Sequence, residues 1–394
     1  MLIKAAPHCR RPAVRRPEGQ SRRRRRYNRD VNDVALPVGA APVGVGVFDL
    51  TPDALKEVLS GWNEPAYRAD QILAWVYRRD ADDYDAMSNL PGPLRAKLGA
   101  SLPIYRSQVL ARRVAADGTT KLLLGWPDGA TSECVCIPDS DRRTACVSTQ
   151  VGCPVGCLFC ASGLDGLQRQ LSCGEIVEQA MRVRQVCGDA RLSNVVFMGL
   201  GEPLHNYHAT VAAVRTLNAA WGVGIGARKI TVSTVGLPKA IRQLAEEGLQ
   251  IKLAVSLHAP NDELRRQIIP WAEAIDIASL VEAARVYFEK TTREVTLEYV
   301  LLGGLNDAPQ HARELAQVAK GMRSNVNLIR YNPVESLPFQ RPDAAAAERF
   351  MAILRAEGVN THLRRSRGID VDAACGQLRR RSATMGAVVS RRSG

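Results

Sequence analysis

The densest chemistry in this 394-residue sequence is a group of cysteines. Cys134, Cys136, Cys146, Cys153, Cys157 and Cys160 lie within 27 residues, out of ten cysteines in all. No secretory signal is visible, so a reducing cytoplasm is the expected compartment, and there such a group reads as metal binding or redox chemistry. The segment Cys153-Pro-Val-Gly-Cys157-Leu-Phe-Cys160 puts three thiols on one loop. Thiolates are the soft ligands that iron–sulfur sites use. Three of them can hold three irons of a cubane and leave the fourth iron open to a small chelating molecule. The competing reading is a structural zinc site, which needs a fourth ligand. No Cys or His follows at the usual two-to-five-residue offset, and the next cysteine, Cys173, lies 13 residues on.

Short polar residues recur beyond this loop where apolar runs end. Asn194-Val-Val-Phe-Met-Gly199-Leu-Gly201-Glu202-Pro203 closes a strand-like run with glycines, which let backbone approach a ligand closely, and a carboxylate that can accept from an ammonium group. Ser233 ends one apolar run, Ser256-Leu257-His258 ends another, and Asn332 follows a third. Each alone reads equally well as a helix cap or turn former. As a recurring set they read as contacts to one ligand.

The spacing CxxxCxxC, with Phe159 before the last cysteine, is similar to the cluster loop of the radical S-adenosylmethionine (SAM) superfamily. There the open iron of a [4Fe–4S] cluster chelates the methionyl amine and carboxylate of SAM. Two further stretches narrow the resemblance. Arg143-Thr-Ala-Cys146-Val-Ser-Thr-Gln-Val-Gly-Cys153 places a cysteine ahead of the loop, and Ile369-Asp-Val-Asp-Ala-Ala-Cys375-Gly-Gln-Leu378 places another far downstream. With Ser256-Leu-His-Ala-Pro-Asn-Asp-Glu-Leu-Arg265, these resemble the RlmN/Cfr family of RNA adenine methyltransferases, the RlmN branch being the nearer, over roughly Phe48 to Leu378.

The resemblance implies a route for methylating adenine C2, a carbon without a useful nucleophilic lone pair. A first SAM methylates Cys375, which becomes an S-methylcysteine. A second SAM, cleaved at the cluster on Cys153, Cys157 and Cys160, gives a 5′-deoxyadenosyl radical that takes a hydrogen from that methyl group. The methylene radical adds to C2. Loss of the C2 proton, with Glu133 as acceptor, and attack of Cys146 on the Cys375 sulfur then release the product with a transient disulfide. Read from its own neighbours, Glu133 is a lone carboxylate beside a strand, more often a solvated charge. Gly201, Glu202, Ser233, Ser256, Leu257, His258 and Asn332 are the SAM contacts the resemblance implies. The expected substrates are 23S rRNA and tRNA, and the expected electron donor is of the flavodoxin type. The chain is expected to work as a monomer away from membranes. The sister chemistry at adenine C8, of the Cfr type, is the alternative. A non-catalytic cluster or zinc protein that binds RNA is a further one, and Cys146 and Cys375 speak against it, since a binding module needs neither. The Arg-rich N-terminal extension departs from the family pattern. The small residues between the cluster cysteines, Pro154-Val-Gly156, leave ligation unaltered.

These residues need a scaffold that brings many strand ends together. From about Arg142 the sequence alternates short apolar strands with amphipathic helices. Strands are predicted near Ala145–Thr149, Asn194–Met198, Lys229–Ser233, Lys252–Ser256, Glu294–Val300, Val326–Ile329 and Thr361–Arg364. Helices are predicted over Gly174–Val186, Leu237–Ala245, Ile277–Phe288 and Ala308–Lys320. Repeated strand–helix units argue for an α/β fold with a parallel sheet closed partly into a barrel, whose chemistry sits at the C-terminal strand ends. Residues 48–108 read as helical, with Thr51 capping a helix through Leu59 and further helices over Ala66–Arg78 and Pro91–Leu102. Strand character starts only at Lys121, where Leu122–Trp126 and Cys134–Ile137 flank the turn Pro127-Asp128-Gly129. The expected organisation is thus a disordered Arg-rich tail (1–45), a small helical accessory domain (46–110), a radical SAM barrel domain (111–378, core about 139–369) and a basic C-terminal tail (379–394). The net charge of +13 is concentrated in the first tail, where residues 1–45 hold 11 Lys or Arg against 3 Asp or Glu. It raises the expectation of a nucleic-acid partner. No run of 18 apolar residues is present to span a bilayer.

Overall fold

The computed structural model describes residues 44–379 apart from Asp189. The disorder expected of the N-terminal tail, and the C-terminal tail after Arg379, lie outside the described residues. Three helices open the described chain: α1 (Pro52–Ser60), α2 (Tyr67–Arg78) and α3 (Gly92–Ser101). Thr51 caps α1 through a bond from the Ala54 amide at 3.2 Å, and Pro52 occupies the first turn, where a missing N–H costs nothing. Leu55, Leu59, Ile72, Leu73, Val76, Leu94 and Leu98 make the buried side of this trio.

A ten-stranded sheet follows. Its first strands, β1 (Gln108–Val114), β2 (Thr120–Gly125), β3 (Thr131–Asp139) and β4 (Arg142–Cys146), pair antiparallel in sequence order. The turn at Pro127-Asp128-Gly129 is where the sequence puts it, with Gly129 at φ +80°. Strand β1 was not foreseen. It is the sheet edge, and six of its seven residues are exposed, so it carries no alternation to read.

After β4 come a two-stranded ribbon, β5 (Gln150–Gly152) with β6 (Leu167–Gln170), and helix α4 (Cys173–Gln185). The units then repeat: β7 (Leu192–Phe197), α5 (Tyr207–Asn218), β8 (Ile230–Thr234), α6 (Pro238–Glu246), β9 (Lys252–Ser256), α7 (Asp262–Ile268), α8 (Ile277–Thr291), β10 (Val295–Leu301), α9 (Pro309–Lys320), β11 (Ser324–Arg330), α10 (Ala344–Ala356) and β12 (Thr361–Arg364). The strand order β4-β7-β8-β9-β10-β11-β12 is parallel throughout and ends at β12, which makes a partial barrel. The central strands are buried on both faces, as parallel strands covered by helices must be. Helices α5, α7 and α10 were not anticipated.

Helix α4 links the N-terminal trio to this sheet. Ser172 and Glu175 form a reciprocal capping box at its start. Asp49 accepts from the Ser172 hydroxyl at 2.7 Å and from the Gly174 amide at 2.8 Å, and pairs with Arg106 at 3.6 Å. Further along, Gln179 brackets the backbone of Ser148, accepting from its N–H at 2.9 Å and donating to its carbonyl at 3.0 Å. Gln179 thus fixes the exit of β4 at Ser148, just ahead of β5 and the cysteine loop.

Candidate active site

The cysteine loop leaves the β5–β6 ribbon through a glycine that nothing else could replace. Gly152 has φ +79°, and a Cβ there would stand 1.9 Å from the Gly166 carbonyl oxygen. The loop is then tied down at both sides. The Cys153 amide donates to the Gly166 carbonyl (3.1 Å), and the Leu158 amide donates to the Ile268 carbonyl at the end of α7 (2.9 Å). Phe159 stands edge-on to His258 with ring centres 5.0 Å apart.

Cys153, Cys157 and Cys160 all line one cavity of about 160 Å³ at the C-terminal ends of the parallel strands. Burial pushes the Cys153 thiol up to about 12 and raises Cys157 and Cys160 as well. Each is raised further by at least one neighbouring thiolate, so the three cannot ionise together without a compensating positive group. Among the described residues, no three or more His, Cys, Asp or Glu side chains are grouped to hold a single metal ion. Three soft thiols around one cavity, each free to take a different iron, fit a cubane cluster better than a lone zinc.

The strand ends supply the rest of the lining. After β7, Gly201 has φ +107°, and a Cβ there would meet the Gln150 side chain at 2.7 Å. The glycine lets the chain turn so that Glu202 enters the cavity. Its carboxylate accepts from the Val235 amide at 2.7 Å and the Leu204 amide at 2.9 Å. Burial nevertheless pushes this carboxyl up to about 7, against the bonds that pull it down. Ser233 at the end of β8 and Ser256 at the end of β9 face each other, oxygen to oxygen, at 3.4 Å. Both line the cavity.

His258 adopts a left-handed backbone (φ +59°), unusual for a side chain of its size. Its Nδ1 accepts from the Val300 amide at 3.1 Å, and its carbonyl accepts from Asn306 at 2.8 Å. Burial, with Arg265 nearby, drops its ring to about 3, so it is neutral. Asn332, after β11, lines the cavity and donates to the Cys375 carbonyl at 3.0 Å. Leu257 departs from expectation. It is absent from the lining and its side chain is buried, while its amide donates to the Glu298 carbonyl at 3.0 Å. Because strand side chains alternate, the residue between two cavity-facing neighbours points away, and only its backbone remains available.

Cys375 enters the same cavity on the segment after β12. Hydrogen bonds hold that segment from several sides. The Ala161 amide donates to the Gly376 carbonyl at 2.8 Å, the Ser162 hydroxyl to the Leu378 carbonyl at 2.8 Å, and Lys121 to the Asp372 carbonyl at 3.0 Å. Cys375 is exposed. Cys146, at the end of β4, does not line the cavity. It is buried in an apolar cluster with Val135, Leu200, Ala373 and Leu378, and burial pushes its thiol up to about 12, with Cys375 close enough to add to the rise.

Glu133 is not a solvated charge. It lies within β3, is 2% exposed, pairs with Lys121 at 3.1 Å and accepts from the Arg379 amide at 3.0 Å. The sequence hides this because the pairing partners are remote, 12 and 246 residues away. It does not line the cavity.

Two charged lining residues escaped the sequence reading, Arg364 and Glu298. Arg364 ends β12 and stands 3.6 Å from the Glu298 carboxylate, which also accepts from Asn327 at 3.1 Å. The signals were present. Arg364 ends a strand as Ser233 and Ser256 do, and Glu298 is a lone carboxylate inside the apolar run Val295–Leu301.

Two family models match the chain: the radical SAM superfamily over residues 147–316, and the ribosomal RNA large subunit methyltransferase N-terminal domain over residues 45–104. Proteins named "Probable dual-specificity RNA methyltransferase RlmN" are similar along most of the chain. The one from Rhodopirellula baltica is 46% identical over 83% of this chain and 89% of its own. The one from Prochlorococcus marinus is 50% identical over 89% of this chain and 99% of its own. A radical SAM methyltransferase crystal structure from Sphaerobacter thermophilus superposes with a TM-score of 0.83 at 47% identity, covering 85% of this chain and 99% of that one. Its superfamily implies a [4Fe–4S] cluster and SAM. The cluster loop, the strand-end lining and the cysteine segment therefore belong to a chain that is a member of the RlmN family of radical SAM RNA methyltransferases.

Proposed function

We propose that the chain methylates C2 of an adenosine in 23S rRNA and in tRNA, in the cytoplasm, by way of a methyl group carried on Cys375. The observation that carries this reading is the meeting of two thiol sets: Cys375 lines the cavity of Cys153, Cys157 and Cys160, with Cys146 in the apolar cluster beside it. A methyltransferase that displaced the methyl group of SAM directly onto RNA would need neither Cys375 nor Cys146.

Cys153, Cys157 and Cys160 would hold the cluster. Glu202 would accept from the methionyl amine, and Ser233, Ser256, His258, Asn332 and the backbone at Gly201 and Leu257 would contact the remainder of SAM. The bound pair supplies one-electron cleavage of SAM to a carbon radical that takes hydrogen from a methyl group. The protein's own residues do the rest. The fixed backbone around Cys375 holds the methyl-bearing sulfur at the cavity, where the adenine must arrive unstacked. Neutral His258 and the apolar side chains Val155, Phe159, Val300 and Ile329 keep the cavity dry. Cys146 attacks the Cys375 sulfur to free the product. Glu133 is the proton acceptor in this reading, which requires its contacts with Lys121 and the Arg379 amide to open when RNA binds.

The test uses anaerobically reconstituted protein, methyl-labelled SAM, a flavodoxin-type reductant and ribosomal RNA from a methylation-deficient strain. Nucleosides are identified by mass spectrometry. The expected product is labelled 2-methyladenosine, lost in Cys375→Ala. A peak of 8-methyladenosine would move the chain to the sister chemistry. Absence of both, with SAM cleavage intact, would move the search to tRNA alone.

A further inference from the structure

Arg364 is the one cation in the cavity lining that keeps its charge at neutral pH, since His258 is neutral. Fully buried Arg265 spends its N–H groups on carbonyls, donating to Leu257 at 3.3 Å, Ile275 at 3.0 Å and Val235 at 2.6 Å. Arg364, 34% exposed, does not. Its contacts are the Glu298 carboxylate at 3.6 Å and the Met198 sulfur at 3.9 Å. Met198 packs on the apolar cluster that contains Cys146, and Cys375 lines the cavity beside Arg364. The guanidinium thus lies at the cavity, near enough to both thiols to act on each.

We propose that Arg364 is a positioning residue for the exchange between Cys146 and Cys375, its guanidinium anchored by Glu298 and stabilising the Cys146 thiolate as it attacks the Cys375 sulfur. The inference rests on the two-thiol reading above. In that step Cys146 gives up its proton to solvent and forms a sulfur–sulfur bond. The Cys375 sulfur–carbon bond breaks, its electron pair leaves with the carbon, and the carbon takes up a proton. Deep in its apolar cluster Cys146 resists deprotonation, so a step that needs its thiolate needs a nearby positive charge.

The groups around Cys146 are few. Cys375 opposes ionisation from the C-terminal segment, and Cys134 stands near on β3. Arg364 on β12 and the Met198 backbone, just past β7, favour it. The carboxylates of α4 are turned elsewhere, Glu175 to Arg169 and Glu178 to the amides of Arg106 and Ser107. Arg364 is therefore the charge that can be changed with a clear sign.

The test reads the thiols directly. Exposed Cys375 in the cluster-loaded protein is converted anaerobically to a mixed disulfide with an aromatic disulfide reagent. Attack by Cys146 then releases the coloured thiolate, and peptide mapping verifies the Cys146–Cys375 bond. In Arg364→Met the release slows at least tenfold at pH 8 and its pH midpoint rises by at least one unit, and Arg364→Lys recovers part of the rate. In Glu298→Gln, which removes the counter-charge, the midpoint falls. A merely structural role would slow both variants and leave the midpoint where it is. Identical pH profiles in wild type and Arg364→Met overturn the proposal, and if that variant does not fold, an unmoved midpoint in Glu298→Gln does so. No release at all in the wild type overturns the two-thiol reading instead.

Discussion

Glu202 holds its place through backbone amides from its own following turn and from the end of β8, yet its burial outweighs them. The ordinary carboxyl value near 4.5 is pushed up to about 7. The sign for ligand binding follows. Above about pH 7 the free protein presents a carboxylate, and an ammonium group gains a charged acceptor; below it the carboxyl keeps its proton and that gain is lost. SAM binding to the anaerobic cluster-loaded protein, measured by equilibrium dialysis, is expected to weaken as the pH falls and the carboxyl takes up its proton, by linkage. Glu202→Gln should bind SAM weakly with a flat profile, and a wild-type affinity unchanged between pH 6 and 8 would remove the amine from Glu202. Residues of this kind were legible because their types are unusual at strand ends. The three cluster cysteines and Glu202 stand out by type and spacing. Arg364, which ends β12, and Glu298, a lone carboxylate in the apolar run of β10, carried weaker marks of the same kind, and their meaning as a pair comes only from strands brought side by side.

Elements were legible to the degree that their burial is periodic. Strands β9 and β12 fall where the sequence puts them, residue for residue, and β9 is a short apolar run closed by a polar end. Strand β1 shows no inside and outside. The β5–β6 ribbon has strands of three and four residues, too short for any period. Helix α7 has seven residues, hardly two turns, and α10 is a run of alanines whose cap, Asp343, was there to be read. What positions α4 is a contact no periodicity can reveal, the seating of Asp49 on its start. Gly174 is the second residue of that helix, and a Cβ there would stand 2.3 Å from the Asp49 carboxyl carbon. Asp49→Ala removes two hydrogen bonds to the helix start and should lower unfolding free energy by about 1–3 kcal/mol. Gly174→Ala evicts the same carboxylate and should cost a similar amount. The double variant has room for its new methyl group, so it should be no less stable than Asp49→Ala alone. Denaturant unfolding of the three variants checks this, and additive losses would show that the two residues act separately.

At the scale of the whole molecule, the partial barrel and the three-helix trio account for most of the chain but for little of its charge. The trio, residues 45–104, holds 6 Lys or Arg against 9 Asp or Glu, so an electrostatic hold on RNA cannot reside there as a whole. Residues 1–45, with their excess of basic residues, are the obvious alternative, and the structure of residues 1–43 lies outside the described residues. Counterion release gives the distinction a number. Each phosphate neutralised by a Lys or Arg steepens the fall of log affinity with log salt by about 0.7 to 0.9. If the first tail contributes even four such contacts, deleting residues 1–42 should reduce the salt slope for RNA by about 3. The same deletion should leave cluster content and reductive SAM cleavage unchanged, because every residue lining the cavity lies between 153 and 376. Filter binding across a salt series, beside iron content and 5′-deoxyadenosine yield, reads both at once. An unchanged slope would assign RNA binding to the folded chain, where the basic residues of the C-terminal segment near Cys375, Arg365, Arg367 and Arg379, would be the next to alter. A loss of cluster would instead mean that the tail supports the fold itself.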